Sequence, residues 1–115
     1  MWKTVNSSLS FTPPLPIENV TAKEVIEKMK ETDRNVVEIT VEDDAIWYIT
    51  RTENEGISIA DENIKQMIGR EGWNFKEKDG AGLFFDKDGE RLIATTQMWS
   101  KYYVLVKVQS KFKNV

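Results

Sequence analysis

At 115 residues the chain has the length of one domain, able to bury roughly two thirds of its extended surface without a metal or disulfide staple. It contains neither Cys nor His, which excludes disulfides, thiol nucleophiles, Cys/His zinc sites and Ser-His-Asp chemistry, and leaves any catalysis to carboxylates, Lys, Tyr or backbone. The net charge of -3 argues against nucleic-acid binding as the main role.

Residues 1–16, MWKTVNSSLSFTPPLP, show neither a helical nor an alternating period, and Pro13, Pro14 and Pro16 favour an extended path. They read as a linker or lead-in strand, and residues 17–115 as a single domain. No stretch here is apolar enough for a signal peptide or a membrane span.

The first helix is the best-marked element. Thr21 and Glu24 form a T-x-x-E capping box, in which each side chain satisfies a backbone donor of the other. Val20 and Val25 are placed for a hydrophobic staple, and Ala22, Val25, Ile26 and Met29 share a face. The helix ends near Glu31, before the loop residues Thr32, Asp33, Arg34 and Asn35.

A hairpin follows. Val37, Ile39 and Val41 alternate with Glu38, Thr40 and Glu42, and the turn is Glu42-Asp43-Asp44. Ile46-Trp47-Tyr48-Ile49 is apolar on both faces, so this strand is central or covered on both sides. The second helix starts at Ser58 or Asp61 and runs to Arg70, with Ala60, Ile64, Met67 and Ile68 on one face. Ser58 is the expected N-cap, and Gly72 the left-handed stop. Gly69, inside the last turn, suggests close packing or fraying.

Four strands complete the chain. Trp73 and Phe75 alternate with Asn74 and Lys76, Asp79-Gly80 signals a two-residue hairpin, and 83–85 form the next strand. Asp86-Lys87-Asp88-Gly89 suits a type I turn with a glycine bulge. Residues 92–99 and 102–108 make the last pair. The expected fold class is α+β, with two helices on one face of a mainly antiparallel sheet of about six strands, in the order αββαββββ.

Motifs that resemble chemistry have simpler readings. Asp86-Lys87-Asp88-Gly89-Glu90 begins like a calcium loop, but the position of its distant bidentate Glu is Gln97. Adjacent acids at Glu42-Asp43-Asp44 point apart into water. Ser100-Lys101 falls on a hairpin tip, and Gly80-Ala81-Gly82 lacks the helix and Lys of a phosphate loop. No catalytic residue, metal site or cofactor is assigned.

Two features point to recognition. All acids lie between Glu18 and Glu90, whereas Arg91, Lys101, Lys107, Lys111 and Lys113 follow with no acid. These bases either pair with the acidic middle in space or form a face for an anionic partner. Strand neighbours point to opposite faces, so one member of each pair Trp47/Tyr48, Phe84/Phe85 and Tyr102/Tyr103 faces away from the helices. On the last strand Tyr102, Val104, Val106 and Val108 face the helices. Trp99, Tyr103 and Lys107 are expected together on the other face, partly exposed, as a binding surface.

Gly72-Trp73-x-Phe75, Gly82-x-Phe84-Phe85, Lys87-Asp88-Gly89 and Thr95-Thr96-Gln97-Met98-Trp99 carry a resemblance, together with Pro14-Leu15-Pro16, Glu18-Asn19-Val20-Thr21 and Trp47-Tyr48-Ile49-Thr50. Over nearly the whole chain after Ser10 it resembles short uncharacterised proteins of spore-forming Gram-positive bacteria. The resemblance implies a small domain displayed outside the cell behind one N-terminal membrane helix, with the Ser/Pro stretch as spacer. It supplies no activity and no site residues.

The leading expectation is therefore a non-enzymatic binding module at the outer face of the membrane. Its partner would be a protein or an anionic cell-surface component, with membrane contact only through the N-terminal anchor. The alternatives are a carboxylate- or metal-dependent enzyme, and an intracellular inhibitor or immunity-type protein in the cytoplasm.

Overall fold

The structure is a computed structural model and describes residues 15, 17, 20–42, 44–52 and 57–113. The expectation for a dispensable lead-in at 1–16 lies almost wholly outside these residues. The fold class is α+β: among the described residues, two α-helices and a six-stranded antiparallel sheet, in the order read from the sequence. The chain forms two compact units, Met1–Asp33 and Arg34–Val115.

In the first unit, helix α1 (Ala22–Lys30) starts at the capping box. The Thr21 Oγ1 accepts from the Glu24 N–H at 3.2 Å, and the Glu24 Oε1 accepts from the Thr21 N–H at 3.0 Å. The bond from the Thr21 N–H, with a second from the Thr21 hydroxyl, holds the Glu24 carboxyl below its ordinary pKa. Val25 and Met29, four residues apart on one face, are buried. Lys28 and Lys30 lie in the last turn, where the helix dipole favours cations.

The second unit holds strands β1 (Val36–Val41), β2 (Ala45–Arg51), β3 (Asn74–Asp79), β4 (Gly82–Lys87), β5 (Glu90–Met98) and β6 (Tyr103–Gln109), with helix α2 (Ile57–Gly69) between β2 and β3. The sheet order is β1-β2-β6-β5-β4-β3, and every neighbouring pair is antiparallel. β2 and β3 therefore run in the same direction with three strands between them. The connection must cross the sheet, and α2 is that crossover.

Period-two alternation decides which residues α2 covers. Ile46 and Tyr48 of β2 stand opposite Val108 and Val106 of β6, which stand opposite Ala94 and Thr96 of β5. With Leu83, Phe85 and Leu92 these form one core against Ala60, Ile64 and Ile68 of α2. The placement of Val104, Val106 and Val108 against this helix agrees with the alternation of the sequence. A 3₁₀ turn, Ser110–Lys113, brings Phe112 edge-on to Tyr48, 6.4 Å between ring centroids.

Some local expectations need correction. Ser58 is inside α2, because the helix begins one residue earlier, at Ile57. Asp61 lies past the first turn and is buried: its Oδ2 accepts from Lys78 Nζ at 2.6 Å, and its Oδ1 has no partner among the described residues. A Cβ on Gly69 would meet nothing, so close packing does not explain that glycine. Asp88 and Gly89 both have positive φ (49° and 84°) between paired Lys87 and Glu90, which is a type I′ loop rather than a type I turn with a bulge. The preceding loop is Gly80-Ala81, one residue later than the Asp-Gly pair suggests, with Gly80 at φ 60°. Tyr102 precedes β6 instead of opening it, and is exposed rather than turned toward a helix.

Candidate functional site

On the sheet face turned away from α2, strands β2, β6 and β5 line up one row of side chains. Trp47 stands opposite Lys107, and Lys107 opposite Thr95. The next row places Ala45 opposite Gln109, whose Oε1 accepts the Ile93 N–H at 3.1 Å. Beyond β6 the chain turns sharply at Ser110, whose N–H donates to the Asp44 carbonyl at 3.1 Å. These rows floor an open groove of about 500 Å³, and Asp44, Ser110 and Lys111 edge it.

The groove is polar and on balance cationic. Lys107 and Lys111 both line it, against the single carboxylate of Asp44. Neither lysine has a carboxylate partner among the described residues. Lys107 is exposed, and its Nζ lies 5.7 Å from the Trp47 ring centroid, so an aromatic face steadies it without neutralising it. Trp47 is itself anchored: its Nε1–H donates to Glu42 Oε1 at 2.8 Å. The hydroxyls of Thr95 and Ser110 and the Gln109 amide supply neutral hydrogen-bonding groups around the two cations.

The three residues singled out from sequence do not form one cluster. Trp99 and Tyr103 pair, with ring centroids 6.4 Å apart. Lys107 is four residues farther along β6, roughly 13 Å at strand spacing, with the buried Leu105 between. Tyr103 is half-buried and on the expected face. Trp99 is a correction, because only 5% of it is exposed. The β5–β6 loop closes with the N–H groups of both Trp99 and Ser100 donating to the Tyr103 carbonyl (3.2 and 3.1 Å), which seats the Trp99 ring against Tyr103. Of the three, Lys107 alone lines the groove.

The basic end of the chain divides the same way. Lys113 pairs with Glu38, and Arg91 approaches Asp86 at 3.8 Å. The two lysines of the groove have no such carboxylate among the described residues. Sequence reasoning singled out Lys107 through alternation and counted Lys111 in the basic end, but named neither Asp44 nor Ser110 for the site. Lys107 and Gln109 share a face by parity. Thr95 joins them through the β5–β6 register, and Lys111 and Ser110 through the turn after β6.

Among the described residues no three acidic side chains gather as a metal site, and no helix is long and apolar enough to cross a membrane. Comparison with family models, curated proteins and solved structures finds no match.

Proposed function

We propose that this chain is a non-enzymatic binding module, displayed at the outer face of the cell membrane, whose β2–β6–β5 groove receives an anionic partner. The observation that carries the reading is the convergence of Lys107 and Lys111 on one open groove without a carboxylate partner among the described residues. Ammonium groups beside hydroxyl and amide groups suit phosphate or carboxylate oxygens. A shallow groove on a rigid sheet suits a chain-like polyanion better than an enclosed small substrate. The display outside the membrane rests on the resemblance described above and on the Ser/Pro lead-in.

The test is a titration with a poly(glycerol phosphate) chain, followed by calorimetry. Replacing Lys107 and Lys111 together by Ala should weaken binding by about tenfold, equivalent to about 1.4 kcal/mol. Added salt should weaken the parent protein more than the variant. Equal binding by parent and variant would remove the groove from consideration.

A further inference from the structure

A second concavity lies on the α2 side of the sheet, and its chemistry is the reverse of the groove's. Tyr48, Met67, Glu71, Phe112 and Lys113 line an open pocket of about 450 Å³. Its inner wall is aromatic: Tyr48 and Phe112 meet edge to face at 76°. Tyr48 is only 5% exposed, yet its hydroxyl makes no hydrogen bond among the described residues. The hydroxyl is not among the fully enclosed unpartnered atoms, so it reaches the open pocket, where a ligand can take the place of solvent.

Two carboxylates stand near that phenol, Glu38 and Glu71. Burial first, and then both of these charges, push Tyr48 up to about 12, so the group stays a neutral phenol at any physiological pH. Glu38 is matched by Lys113. Glu71 is exposed and has no cationic partner for its side chain among the described residues. The pocket thus has apolar walls at Met67 and Phe112, an aromatic hydroxyl, the Glu71 carboxylate, and a Lys113 ammonium whose charge is matched by Glu38 outside the lining.

We propose that this pocket binds a primary alkylammonium group, its carbon chain against Met67 and Phe112 and its nitrogen between the Tyr48 hydroxyl and the Glu71 carboxylate. The phenol oxygen accepts one ammonium N–H through a lone pair, and Glu71 accepts another. Aromatic faces add their attraction for cations. An anion is repelled by Glu71, and a neutral alcohol forgoes the ionic contact.

The experiment titrates the intact chain with pentylamine, pentanol and pentanoate, observed by backbone and side-chain NMR. Pentylamine should shift the resonances of Tyr48, Met67 and Phe112, with pentanol far weaker and pentanoate without effect. Glu71→Gln should weaken pentylamine by about fivefold, the scale of one exposed ion pair. Glu90→Gln at the start of β5 serves as control for diffuse attraction to an acidic protein. Comparable shifts from pentanol, or equal weakening by Glu90→Gln and Glu71→Gln, would overturn the site. N-acetyl-lysine amide separates the two sources of this chemistry: binding assigns the pocket to a lysine side chain of a partner protein, and its absence beside pentylamine binding assigns it to a free amine.

Discussion

Strands β2 and β3 flank the same helix, run in the same direction and have nearly the same length, yet their surroundings are opposite. Six consecutive residues of β2, from Ala45 to Thr50, are buried. All six residues of β3 are exposed. β2 has a hydrogen-bonded strand on either side, whereas β3 is an edge of the sheet. The side chains follow position. AIWYIT is apolar on both faces, while NFKEKD carries alternating charge, and its ladder is broken by a bulge at Lys76. Charged residues and a bulge on an outer strand discourage further pairing. Strand character thus says little by itself. What a strand is attached to decides whether its residues hold the fold or dress it.

The comparison can be broken most sharply in β2. Ile46→Ala should cost about 3 kcal/mol, because Ile46 is fully buried in the main core. A shift in the urea midpoint worth under about 1 kcal/mol would show that β2 is not the structural strand. Next in size is a place where β3 reaches a buried charge. Lys78→Met should cost about 2 kcal/mol, since it leaves the buried Asp61 carboxylate with neither oxygen partnered. Adding Asp61→Leu should recover most of that loss in a double-mutant cycle.

A smaller effect appears only in alkali. The folded-state pKa of Tyr48 is raised to about 12 from an ordinary 10. The folded protein therefore holds this proton more tightly than the unfolded chain. The associated stability is fully present below pH 10 and is lost as pH rises toward 12. Denaturation midpoints measured through that window should fall less steeply in Tyr48→Phe than in the parent. Equal slopes would mean that the phenol is as well solvated as in the unfolded chain. The smallest effect belongs to the exposed bulge residue: Lys76→Ala should change stability by no more than about 0.5 kcal/mol. A larger loss would mean that the edge takes part in the core after all.

What could be read in advance followed from local rules. The Thr21–Glu24 box needs only three residues of spacing, and both of its bonds are present. The inward set Val104, Val106 and Val108 needs only parity, because every residue of it is apolar. Gly72 takes the left-handed conformation expected of it, at φ 96°, in the turn that follows the end of α2 at Gly69. The misreadings concern partners remote in sequence. Asp61 looks like a helix-start charge until Lys78, seventeen residues on, is brought to it across the crossover. Glu42 looks like a wet turn residue until Trp47 curls back to donate to it. Trp99 reads as partly exposed because its neighbours alternate cleanly, but it is buried where the strand ends and the loop folds over. Parity carries no information past the last ladder residue. The groove was half legible for the same reason: Lys107 follows from parity, whereas the neighbours that make it a site come from pairing and a turn.

The strand order has a consequence for how the sheet is assembled. The β1–β2 hairpin and the β3–β4–β5 meander are each built from sequence neighbours, but the two halves share no ladder until β6 is laid between them. β6 is a keystone, and it is also the last of these six strands in chain order. Until it is in place, β2 and β5 each carry an open edge, and β2 presents bare apolar side chains as well. The half-made sheet is therefore at its most adhesive just before β6 joins it, and loss of β6 would divide the sheet in two rather than shorten it by one strand.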